Sequence, residues 1–258
     1  MPFVLGPVPS HSRKISADRC GLNRRFDLGP HAMRDYLAIM KFTSPRDRRF
    51  TRTAPQAGVP GFLWGLVAIM AVIELILSLA DAGAFGSRDL RWLAFAAGAF
   101  WQPILAGSVP PVYPGQTAVM FISHAFLHGG LAHLAMNSVV LLSLGKFVSA
   151  HVGAARTLLV LLLSAVAGAA CFGLLSSSAT PMIGASGAVF GLIGLWQAMD
   201  YRTRRRAGLS LQPILTTILG LIAANIALFV ILTGGLAWQA HLGGWIAGWL
   251  AGQSFARR

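Results

Sequence analysis

Residues 182–194 read MIGASGAVFGLIG, and the one hydroxyl in that stretch, Ser186, stands among glycines and apolar side chains. In water such a serine carries no message; in hydrocarbon an isolated hydroxyl is costly and has to find a partner. The rest of the chain decides which medium applies. Of 258 residues, 55% are hydrophobic and 11% are charged, against the roughly 25% charge of an average soluble domain. Apolar runs recur at 61–80, 117–149, 155–175, 183–199, 213–233 and 238–255. Most approach the roughly 20 residues with which a helix crosses a bilayer. The pattern predicts an all-α polytopic membrane protein, a bundle of six transmembrane helices over 61–258. A flexible cytosolic tail is expected at 1–60, where Pro, Gly, Ser and Arg show little periodicity.

A seventh apolar run, LRWLAFAAGAFWQPIL at 90–105, is decided by charge. Lys and Arg in short loops collect on the cytoplasmic side of a membrane. Eleven of the 21 basic residues precede residue 53, and most of the others fall in alternate loops: Lys146 with Arg156, then Arg202, Arg204, Arg205 and Arg206, then Arg257 and Arg258. Six spans with both termini in the cytoplasm put every cluster inside and leave only Arg88 and Arg91 outside. Seven spans would export two clusters, so 90–105 is expected not to span. The net charge of +13 is then mainly a topology signal. Nucleic-acid binding asks for basic residues interleaved with aromatics on one folded face, which scattered tails and loops do not provide. Cys20 lies in the tail and Cys171 in a span, so neither a disulfide nor a cysteine metal cluster is expected. Six spans and a composition rich in Ala, Gly and Arg point to a bacterial inner membrane.

Polar side chains within apolar spans usually face a bundle interior or a wet cavity. Here they are Glu74, then His124, His128, His133 and Asn137 along span 2, Ser186 in span 4, Thr216, Thr217 and Asn225 in span 5, and His241 in span 6. Counting up each helix from its basic floor at about 1.5 Å per residue puts Ser186 roughly 21 Å above Asp200, His241 roughly 24 Å above Arg257, and His133 roughly 20 Å above Lys146. Residues from three helices thus share one layer. Span 4, taken from Gly184 to Asp200, is only about 25 Å long, so the loop before it has to dip into the membrane.

The glycines indicate how these helices meet. Gly244, Gly248 and Gly252 repeat every four residues down span 6, and Gly187, Gly191 and Gly194 answer from span 4. Close packing of the two brings the His241 imidazole to the Ser186 hydroxyl. A serine becomes a nucleophile when a base in hydrogen-bond reach takes its proton, and the oxyanion formed on attack needs donors. His133 and Asn137, one turn apart, are candidates for that role, together with a backbone N–H at the start of span 4. Glu74 is the only acidic residue within a span and is not placed to orient His241, so a Ser-His dyad is expected rather than a triad. An α/β-hydrolase elbow fails, because position 188 is Ala and no strand precedes Ser186. Zinc on His124, His128 and His133 lacks a completing ligand, so no metal is expected.

GASG at 184–187, AHLGGWIAG at 240–248 and HGGLAHLAMN at 128–137 together resemble the rhomboid intramembrane serine proteases, in the right order over 117–255. The resemblance implies Ser186 as nucleophile, His241 as general base, and His133, Asn137 and the Ser186 backbone amide as the oxyanion site. Gly184, Gly187 and Gly244 give them room. It implies no cofactor, and as substrate another membrane protein, commonly single-pass, cut near the outer end of its helix. It also makes 81–116 a large first loop partly embedded in the outer leaflet. Two features depart from the pattern. Phe190 stands where some members carry a tyrosine packed on the histidine, and Trp101 is followed by Gln102 rather than arginine. Two other functions compete: a catalytically silent rhomboid-like scaffold that binds transmembrane helices, against which the retention of Ser186 and His241 argues, and a small transporter, against which the gathering of polar groups on the outer side argues.

Overall fold

The structure is a computed structural model that describes residues 58–255. The tail expected at 1–60 therefore falls almost wholly outside the described residues, as do Cys20, Arg257 and Arg258. The described chain is helical: α1 (Gly61–Asp81), α2 (Leu90–Gly98), α3 (Gln102–Leu105), α4 (Gln116–Ser123), a 3-10 turn (His124–Phe126), α5 (Leu131–Val152), α6 (Ala154–Leu175), α7 (Ser186–Arg206), α8 (Gln212–Ile231) and α9 (Trp238–Ser254). Extended pairing among the described residues is limited to an isolated antiparallel bridge between Phe100 and Met182.

Four of these helices, α1, α5, α6 and α8, are long and apolar enough to cross a membrane by length and composition. The expected count was six. The two others fall short for visible reasons: α9 has 17 residues, and α7 ends in Arg204, Arg205 and Arg206. The run at 90–105 forms the short helices α2 and α3, neither long enough to span.

The run at 117–149, taken as one span, is two pieces. After α4 and the 3-10 turn the chain is extended at Leu127 and turns through Gly130, whose φ of 115° lies in the region that glycine adopts freely. Hydrophobic periodicity does not register such a break, since the residues on both sides are apolar. His124 thus sits in the 3-10 turn and His128 in the loop after it, not along a spanning helix, while His133 and Asn137 are on α5.

The core is built on α6, α7 and α9, which approach to backbone contact. A Cβ on Gly244 or Gly248 would run into the carbonyl oxygen of Gly187 or Gly191, and one on Gly243 would meet the Ala167 carbonyl at 2.5 Å. Small residues at such crossings replace side-chain interdigitation by direct backbone van der Waals contact. On the other flank Leu63 of α1 packs into the space left by Gly145 of α5. By contrast α8 stands apart: of its 20 residues only Ile214 is buried.

The segment between α1 and α4 is knitted down by polar contacts. Buried Gln116 donates to the Ala96 carbonyl at 2.6 Å and accepts from the Val112 N–H at 2.6 Å; Ser123 Oγ donates to the Gly98 carbonyl at 2.7 Å. Arg91 is its main anchor. The guanidinium donates to both oxygens of Glu74, which is fully buried in α1, to Asp81 at 2.6 Å and to the His128 carbonyl at 2.9 Å. A lysine has one compact ammonium and cannot reproduce this fork. Arg91→Lys is expected to lower stability by about 1–2 kcal/mol, read as a lower melting midpoint in detergent, together with faster proteolysis between 82 and 115.

Candidate active site

Ser186 is the first residue of α7, two positions later than the Gly184 start expected for span 4, because Gly184 has a φ of 108° and Ala185 caps the helix. The segment leading to it is clamped from two sides. Phe100 and Met182 exchange N–H to carbonyl bonds at 3.0 and 2.9 Å, and the Gly184 N–H donates to the His124 carbonyl at 2.9 Å. As the first residue of a helix, Ser186 presents a backbone N–H that the helix itself does not use.

His241 lies in the first turn of α9, one turn before Gly244, and is buried. The glycine contact between α7 and α9 brings its Nε2 to 2.8 Å from Ser186 Oγ. On one face the ring stacks against Phe190, with centroids 4.1 Å apart and planes 6° from parallel. Phe190 therefore packs without needing a hydroxyl. On the other ring nitrogen, Nδ1 is 2.6 Å from Asn225 Oδ1 of α8. The sequence reading named Asn225 as an intramembrane polar residue and gave it no role at His241. Glu74, the carboxylate weighed for that position, is committed to Arg91 and to Ser78.

His133 and Asn137 stand behind Gly184. A Cβ there would lie 2.8 Å from His133 Nε2 and 3.8 Å from Asn137 Nδ2, so only glycine lets both side chains come this close to the serine loop. The His133 Nδ1 accepts the Gly129 N–H at 3.4 Å, which leaves the proton on Nε2, the nitrogen nearer Gly184. Asn137 Nδ2 uses one hydrogen on the His133 carbonyl at 3.1 Å and retains a second. The three histidines at 124, 128 and 133 do not converge on a point: His128 meets His133 edge-on at 5.1 Å, while His124 faces Phe100.

A second polar residue was missed. Gln197 of α7, 1% exposed, accepts from Trp245 Nε1 at 2.7 Å and donates to Thr217 Oγ1 at 3.1 Å, tying α7, α8 and α9 below the serine. Between these two ties an apolar cavity of about 460 Å³ opens among α7, α8 and α9, with Phe190, Leu221, Phe229 and Trp245 in its walls. The arrangement thus offers a hydroxyl with an imidazole acceptor, a helix-start N–H and two side-chain donors beside one short loop.

Residues 115–258 match the model of the Rhomboid domain. Over 203 residues the chain is 27% identical to rhomboid protease GluP of Bacillus subtilis, covering 76% of this chain and 35% of that protein. It is 33% identical over 144 residues to RHOMBOID-like protein 4 of Arabidopsis thaliana, covering 56% of this chain and 36% of that one. The chain thus spans about a third of the length of these relatives. A domain match over more than half the chain, joined to a bundle of apolar helices, makes this an integral multi-pass membrane protein that belongs to the rhomboid family.

Proposed function

We propose that the protein is an intramembrane serine endopeptidase that cleaves transmembrane proteins near the outer end of their helices. The observation that carries this reading is the 2.8 Å approach of His241 Nε2 to Ser186 Oγ. His241 takes the hydroxyl proton as Oγ attacks the scissile carbonyl, then passes it to the leaving amine; water repeats the sequence to release the acyl group. The oxyanion formed in each step is met by His133 Nε2–H, the spare Asn137 amide hydrogen and the Ser186 N–H. A peptide bond within a helix is shielded, so cleavage falls where small or helix-breaking residues let the substrate unwind. In this topology α7 and α9 also cross the membrane, giving six spans with both termini in the cytoplasm and the serine facing outward, as in a bacterial inner membrane.

The test is labelling of the purified protein by a fluorophosphonate, alongside cleavage of single-pass substrates in detergent. Wild-type protein is expected to label at Ser186 and Ser186→Ala is not. A folded protein that neither labels nor cleaves would instead make it a scaffold that binds transmembrane helices. For the oxyanion group, His133→Ala is expected to lower kcat by about 10²-fold with little change in KM, since the donor acts on charge that develops after binding.

A further inference from the structure

We propose that Asn225 is the residue that holds His241 in its working tautomer, adding a positioning asparagine to the expected serine–histidine dyad. The inference rests on the protease reading above and deepens it. Three hydrogen bonds fix the direction of every proton in the chain of contacts. Asn225 Nδ2 donates to the Leu221 carbonyl at 2.8 Å, one turn earlier on α8, and a carbonyl accepts only. The amide oxygen is therefore the atom turned to His241, at 2.6 Å from Nδ1. An amide oxygen also only accepts, so Nδ1 carries the hydrogen. Nε2 is then left with its lone pair facing Ser186 Oγ at 2.8 Å, the state needed to remove the serine proton.

Neutral imidazole interconverts between two tautomers, and the one with hydrogen on Nε2 cannot act as base toward Ser186. Nothing on α9 itself makes this choice. The Phe190 ring covers a face of the imidazole and sets its plane without discriminating between the nitrogens. The Glu74 carboxylate is held by Arg91. Asn225 supplies the discrimination from α8, a helix whose described side chains are otherwise almost all outside the core. A polar residue there has no packing role that leucine would not fill better in an apolar span. Because asparagine is neutral, it selects the tautomer but offers less than a carboxylate to the imidazolium formed during reaction.

The experiment compares wild type with Asn225→Leu, which keeps the branched shape and removes the acceptor, and Asn225→Asp, which keeps an acceptor oxygen at Nδ1. The rate of fluorophosphonate labelling of Ser186, the kcat and KM of cleavage, and the ring-nitrogen NMR signals of His241 are read on full-length protein in micelles. Expected are a wild-type His241 with its hydrogen on Nδ1, and an Asn225→Leu protein with mixed tautomers. In that variant labelling and kcat fall by about tenfold with KM nearly unchanged, while Asn225→Asp recovers most of the rate. A purely structural Asn225 would lower the melting midpoint of the leucine variant and leave tautomer and rate per folded molecule alone. The proposal is overturned by an Nε2–H tautomer in wild type, or by equal labelling rates in wild type and Asn225→Leu. If wild type fails to label at all, the protease reading fails, and the ring-nitrogen signals still decide the role of Asn225.

Discussion

Replacing His241 with alanine is expected to lower both cleavage and fluorophosphonate labelling of Ser186 by about 10⁴-fold or more. The size follows from what the ring does. Within 2.8 Å of Oγ it is the group positioned to accept the serine proton, and the other donors nearby, His133 Nε2–H and Asn137 Nδ2–H, have no lone pair to offer in these tautomers. An unassisted serine hydroxyl is a poor nucleophile near neutral pH. Alanine also removes the stacking partner of Phe190, which costs stability, so labelling has to be expressed per folded molecule. His241→Asn retains part of the ring's volume and lacks the base, and is expected to match the alanine variant in rate while melting closer to wild type. Labelling of either variant at wild-type rate would remove His241 from the chemistry.

The part of the site legible in the sequence was the part that depth could reveal. Ser186, His241 and His133 were assembled by counting residues above basic clusters, a one-dimensional measure that works because a helix rises by a fixed amount per residue. The count was applied to the spans that descend toward those clusters and not to α8, which rises away from one. From Gln212, Asn225 is 13 residues up, about 20 Å, in the same layer as Ser186. Gln197 is different, because its partners Thr217 and Trp245 come from two other helices and no single-helix measure relates them. The first loop is non-spanning, as the charge pattern indicates, but its anchor lies beyond the sequence for a related reason. Trp101 is followed by Gln102, whereas Arg91 reaches back to Glu74 and forward to the His128 carbonyl, contacts that only the folded chain defines. The break at 127–130 was hidden by apolar residues on both sides, although Gly129 and Gly130 were in plain view.

The glycine pattern that suggested the α7–α9 contact treats its members alike, and the structure does not, which gives the second large effect. A Cβ on Gly187 would meet the Ala240 carbonyl at 3.4 Å, an ordinary contact, and alanine is the better helix former by up to about 1 kcal/mol. Gly187→Ala is therefore expected to fold as well as wild type. A Cβ on Gly244 would instead overlap the Gly187 carbonyl, with the Gly187 Cα at 3.2 Å, and every obstructing atom is backbone that no rotamer change can move. The helices have to part. Overpacking of this kind costs about 3 kcal/mol, and His241 lies one turn away on the same helix, so its Nε2 is carried off Ser186 Oγ as α9 moves. A misplacement near 1 Å lowers the rate by about 10²-fold on its own. Gly244→Ala is thus expected to lose stability and activity together, with labelling per folded molecule still depressed by about 10²-fold, against a near-normal Gly187→Ala. Melting midpoints and labelling rates of the two variants, measured side by side in detergent, check the asymmetry. Equal behaviour would mean that α7 and α9 do not cross at these residues, and with that the support for Ser186 and His241 as partners would go.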